Sequence, residues 1–119
     1  MPEIKEYIEA YRCRALHTER LRQKRAGQAR EIALRCAERL VREFGAKRVY
    51  LLGSLAEDRF RLDSDIDLMV AGLAPEIFFQ ASAQISRLAG DLKVDVIPWE
   101  SYKYQAEVLE RGKLLYEAK

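Results

Sequence analysis

The chain has 119 residues, 49% of them hydrophobic and 34% charged, with a net charge of +2. That length suits one domain with one core and leaves little room for a second, and its apolar runs last only a few residues, which excludes a membrane-spanning helix. Charge is uneven: residues 1–48 hold 13 Lys/Arg against 7 Asp/Glu, whereas residues 49–119 hold 8 against 12.

The opening MPEIKEYIEA carries acids where a secretory signal needs an apolar run, so a cytoplasmic location is expected. The stretch EIKEYIEAYRCRALHTERLRQ has helical spacing through Ile4, Ile8, Tyr11 and Ala15. Gly27 either breaks or only weakens the helix that follows. In AREIALRCAERLVREF the apolar positions Ala29, Ile32, Ala33, Cys36, Ala37, Leu40, Val41 and Phe44 fall on one helical face, and Gly45 stands where a helix ends. The basic first half admits nucleic acid or an acidic partner. Few aromatics alternate with its arginines, so a solvated arginine-rich helix fits better. Cys13 and Cys36 lie in these helical patterns without metal-ligand spacing and read as reduced, structural thiols.

Beyond Gly45 the period changes. KRVYLL reads as a strand, SLAEDRF as a short helix or turn, and DIDLMVA as a strand bounded by Gly72. PEIFFQASAQISRLAG opens with proline and closes with Gly90, a helix pattern. LKVDVIP is a strand closed by Pro98, SYKYQAEVLERG a helix stopped by Gly112, and KLLYE a final strand. Alternating strands and helices give an α/β (α+β) fold, a small mixed sheet with helices packed on it.

Two strands carry carboxylates among apolar residues. Side chains alternate along a strand, so Asp65 and Asp67 share one face while Ile66 and Leu68 take the other. Asp95 sits between Val94 and Val96 in the same way. If the strands are neighbours, three carboxylates converge. Three like charges repel unless a cation joins them, and oxygen-only ligands suit a hard ion such as Mg²⁺. Gly53-Ser54 ends the first strand at a tight turn suited to phosphate. Ser54-Leu55-Ala56-Glu57 also fits a capping box, so the serine has a second, purely structural reading.

Gly53-Ser54, ten intervening residues, then Asp65-Ile66-Asp67, with Asp95 on a later strand, resembles the signature of the DNA polymerase β-like nucleotidyltransferase superfamily. The likeness covers roughly residues 30–116. In size it resembles the minimal nucleotidyltransferases, the MNT antitoxins paired with HEPN toxins. The resemblance implies a mixed sheet with helices on one side. It implies Gly53 and Ser54 as nucleotide-binding residues, and Asp65, Asp67 and Asp95 as catalytic residues and metal ligands. Mg²⁺ would be the cofactor, two ions when nucleotide is bound, and ATP the substrate. Many relatives have Arg-Gly where this chain has Glu57-Asp58. Aspartate tolerates a left-handed backbone, so the turn is expected to survive. The lost positive charge leaves Arg59 and Arg61 as replacements or as plain surface residues.

The expected organisation is an N-terminal helical extension, residues 1–28, and a minimal nucleotidyltransferase domain, residues 29–119. The expected activity is metal-dependent transfer of AMP (or another NMP) from a nucleoside triphosphate to a hydroxyl, by resemblance a tyrosine of a HEPN toxin. The alternative is an antitoxin that neutralises its partner by contact. The N-terminal helix is the expected surface for a partner or for a homo-oligomer, with no membrane or nucleic acid involved. His17 reads as a surface residue, and Trp99 as packing rather than a base-stacking platform. Nothing selects Tyr102 or Tyr104 as a modification site.

Overall fold

Ile4–Arg42 form one unbroken helix, α1, in the computed structural model, which describes residues 3–119. The helix runs through Gly27, so the glycine only weakens it. Burial on either side explains why: Ala26, Ala29, Ala33, Cys36, Ala37 and Leu40 are all at most 2% exposed. That burial outweighs the roughly 1 kcal/mol that a mid-helix glycine costs. Gly45, at φ 77°, then turns the chain, and the Ala46 N–H donates to the Leu40 carbonyl at 3.0 Å. Residues 4–28 and 29–42 therefore share one helix; Met1 and Pro2 of the expected extension lie outside the described residues.

Four strands follow: β1 Arg48–Leu52, β2 Ile66–Ala71, β3 Val94–Pro98 and β4 Lys113–Glu117. Their order is β3-β2-β1-β4. The neighbour β1 is antiparallel to both β2 and β4, while β2 and β3 are parallel. The parallel pair needs a crossover, supplied by α3, Phe78–Ala89, after a 3₁₀ turn at Pro75–Ile77. The short α2, Gly53–Ala56, follows β1, and α4, Gln105–Arg111, precedes β4.

Alternation splits the sheet cleanly. Val49, Leu51, Ile66, Leu68, Val70 and Val94 pack with the buried stripe of α1 and with Ala81, Ile85 and Ala89 of α3. Tyr50 and Met69 lie on the opposite face, where they meet Val108 of α4, with Leu52, Ile97, Trp99 and Tyr102 around them. The helices are thus not all on one side, as the resemblance implied: α4 covers part of the second face. The helix expected across 101–112 also starts late. Tyr102 is extended (φ −86°, ψ 132°) and packs in that second cluster. Gln105 donates from Nε2 to the Trp99 carbonyl at 2.8 Å.

The first half of α1 leaves this body. Residues 3–21 are all exposed, including Ile4 at 78% and Tyr11 at 68%. The radius of gyration is 18.0 Å, where a compact chain of this length has about 13–14 Å.

Candidate functional site

Strand register builds the site. Leu52 of β1 pairs with Asp67 of β2, and Asp67 pairs with Asp95 of β3. One row across the sheet therefore reads Leu52, Asp67, Asp95. The next row, Tyr50, Met69, Ile97, is apolar and roofed by α4. The carboxylates stand where the roof ends. Asp65 precedes β2 by one residue and, two positions from Asp67, falls on the same side.

Gly53 fits the carboxylate of Asp67. Its φ of 73° is left-handed, and a Cβ there would lie 2.6 Å from Asp67 Oδ2. Any side chain would both strain the backbone and displace the acid.

Asp67 is half-buried, and its pKa is raised above the ordinary carboxylate value. Burial is the main cause, followed by the like charges of Asp95 and Asp65. Asp65 is 3.8 Å from the Lys93 ammonium. Among the described residues no three acidic, histidine or cysteine side chains are gathered closely enough to hold an ion as they stand. Asp95 and Asp65 are nonetheless near enough for their like charges to act on Asp67.

The turn after α2 holds its shape without the family's glycine. Asp58 takes φ 57°, and its carboxylate accepts from Arg30 of α1 at 2.9 Å. Glu57 pairs with Arg59 at 2.6 Å. The capping-box reading of Ser54 does not hold. Leu52 occupies the N-cap position, no side chain caps α2, and Ser54 lies inside the helix. Arg22, Ser54, Asp58, Arg59, Arg61 and Ser64 line a depression of about 390 Å³.

Trp99 stacks on Tyr50 with ring centroids 5.4 Å apart and so serves the second cluster as packing. His17 is exposed on the projecting helix. Both cysteines are free, Cys13 exposed and Cys36 buried. Sequence reasoning missed Arg22, whose Nη1 donates to the Phe60 carbonyl at 3.0 Å. The signal was present, because Arg22 lies four residues before Ala26 and so continues the buried stripe of α1.

The family pattern described as polymerase beta nucleotidyltransferase matches residues 35–119. The chain belongs to this family. No curated protein sequence matches it. The chain is similar in fold to a chain of a toxin–antitoxin complex with AMP-PNP: 22% identity, TM-score 0.59, covering 72% of this chain and 74% of that one. A second likeness is to a chain of the complex of tri-AMPylated Shewanella oneidensis HEPN toxin with MNT antitoxin. It has 21% identity, TM-score 0.54, and covers 75% of this chain and 73% of that one. A third is to the MntA–HepT toxin–antitoxin complex, at 21% identity and TM-score 0.52, covering 74% and 73%. Among the described residues no helix is long and apolar enough to cross a membrane.

The residues fit a hard divalent ion by donor chemistry. Every acid on this face offers oxygen alone, Asp67 and Asp95 are in register, and burial and neighbouring charge already disfavour the ionised form of Asp67.

Proposed function

We propose that the protein transfers AMP from ATP to a hydroxyl of a partner protein, most directly a tyrosine of a HEPN toxin, and acts as that toxin's antitoxin. The observation that carries this reading is the registered Asp67–Asp95 pair beside a glycine turn shaped to Asp67. Family membership supports nucleotidyl transfer, and the similar folds seen in complexes with AMP-PNP and with AMPylated HEPN toxin support the partner class.

Asp65, Asp67 and Asp95 would hold Mg²⁺, which when bound neutralises phosphate charge and lowers the pKa of a bound hydroxyl. Gly53 and Ser54 hold the β- and γ-phosphates. Asp95 accepts the proton of the acceptor hydroxyl. The acceptor oxygen attacks the α-phosphorus in line, the bond from that phosphorus to the bridging oxygen breaks, and pyrophosphate leaves. Among the described residues no second domain closes over the acids, so a long side chain presented by another protein can reach them. The exposed stripe Ile4, Ile8, Tyr11 and Ala15 offers that protein, or a second copy, an apolar handle. The reaction belongs in the cytoplasm, where ATP and Mg²⁺ are available.

Intact-mass spectrometry of the protein mixed with its partner, ATP and Mg²⁺ tests the reading. A partner gaining adenylate mass with wild type, but not with Asp65→Asn or Asp67→Asn, supports it. A partner bound and inhibited without change in mass favours the contact-only antitoxin, a reading motivated by the Glu57-Asp58 departure.

A further inference from the structure

Three arginines meet beside Ser54. Arg22 comes from α1, and Arg59 and Arg61 from the loop after α2; with Ser54, Ser64 and Asp58 they line one depression. The acid in this lining is already neutralised, since Asp58 pairs with Arg30 at 2.9 Å. Arg59 is matched by Glu57. Among the described residues Arg61 takes part in no salt bridge.

Arg22 is one of the α1 arginines that reach beyond that helix, as Arg25 does to Asp91, Arg30 to Asp58 and Arg42 to Tyr116. Arg35 and Arg42 each pair with a glutamate one turn earlier on the same helix, and Arg39 with Glu43 just past its end. Arg22 is also held by a neighbour, Glu19, through Nε at 2.9 Å and Nη2 at 2.7 Å. Its third bond crosses to the Phe60 carbonyl, which fixes the guanidinium against the loop. Two of its five N–H donors remain. The side chain is only 26% exposed, so the charge is held in place rather than waving in solvent.

We propose that Arg61 and Arg22 bind the terminal phosphates of the donor nucleotide and make the site select a triphosphate over a monophosphate. This rests on the nucleotidyl-transfer reading above. The depression includes Ser54, whose chain neighbour Gly53 leaves only 2.6 Å between its Cβ position and Asp67 Oδ2, so Ser54 joins the arginine depression to the turn beside Asp67. A nucleotide whose β- and γ-phosphates meet Ser54 would bring them to this depression. Guanidinium groups present parallel N–H donors that match phosphate oxygens, and fixed ones lose less freedom on binding. Arg22 lies outside the matched span 35–119. The N-terminal helix thereby supplies part of the donor site in addition to any docking role.

Calorimetric titration with Mg-ATP, AMP and inorganic tripolyphosphate tests this on the full chain. Arg61→Ala removes an exposed side chain whose residue bonds only through its backbone to Ser64 Oγ and the Ser64 N–H, so the fold should persist. It should weaken Mg-ATP and tripolyphosphate about tenfold or more and leave AMP unchanged. Arg22→Lys, which keeps the charge but loses the fork, should weaken the same two ligands by a smaller factor. Equal affinities in Arg61→Ala and wild type overturn the proposal. So does an equal loss for AMP and ATP, or a wild type that ignores tripolyphosphate. Asp67→Asn separates the two readings, because it should retain tripolyphosphate binding while losing Mg-ATP. If Asp67→Asn keeps Mg-ATP and Arg61→Ala loses it, the arginine subsite stands and the role given to the aspartates falls. If Asp67→Asn loses Mg-ATP and Arg61→Ala keeps it, the aspartates retain their role and the arginine subsite falls.

Discussion

The two faces of one four-stranded sheet follow different rules. On the α1/α3 face Ile66, Leu68 and Val70 are fully buried within the larger apolar cluster. On the other face Asp67 and Met69 alternate with them along the same strand, and burial there hides Met69 but raises the pKa of Asp67. The difference teaches that a single strand can hold the fold with one set of side chains and store unfavourable charge with the other. A site built this way owes its position to residues that never touch substrate.

The largest break in the comparison should come from the charged face. Asp95→Asn, which keeps the shape and removes the base, should lower adenylate transfer about 10³-fold with the melting temperature almost unchanged; single-turnover mass spectrometry reads this. The buried face should show the reverse. Leu68→Ala should cost about 3 kcal/mol of stability, read by urea unfolding, while surviving folded molecules keep the carboxylate pair. Gly53→Ala connects the two faces. It should cost about 1–2 kcal/mol from the left-handed backbone alone, and its Cβ, 2.6 Å from Asp67 Oδ2, should also lower transfer. Normal transfer by that variant would show that Asp67 tolerates displacement. Asp67→Asn should raise the melting temperature of the metal-free protein, because burial first and the like charges of Asp95 and Asp65 second disfavour the carboxylate; a melt no higher than wild type would count against this.

The smallest effect lies deep in the apolar face. Cys36 is fully buried in α1, and burial pushes its thiol up from 9.0 to about 11. The folded state keeps the neutral thiol, so this contribution is complete below pH 9 and lost as pH rises toward 11. Cys36→Ala should show a shallower alkaline loss of stability than wild type. A maleimide should label exposed Cys13 at once and Cys36 only on unfolding.

Much of this was legible in the sequence because the signals were local. The stripe from Ala29 to Leu40, the alternation in Asp65-Ile66-Asp67 and the turn glycine at 53 each depend on neighbours a few residues away. The left-handed Asp58 followed from the chemistry of aspartate. The lateral pairing of Asp67 with Asp95 was expected only if two strands happened to adjoin, since register is decided by contacts between distant segments. Tyr102 could not be read as extended, because its partners Met69 and Val108 belong to other elements. Ser54 satisfied a capping pattern, yet Leu52 holds the N-cap position. The stripe of α1 put Arg22 on the inward side of the helix, but its carbonyl partner, on Phe60, is 38 residues away and could not be read locally.

The projecting half of α1 changes how the molecule moves through liquid. With extents of 65 × 30 × 22 Å, the protein is a rod joined to a small body, and its friction exceeds that of a sphere of 13.8 kDa. A monomer should therefore elute early from a sizing column and mimic a larger species. Its tumbling should be anisotropic, with amides of α1 relaxing as vectors aligned to the slow axis. Stoichiometry is properly read by light scattering or sedimentation equilibrium, which weigh the particle without regard to its outline.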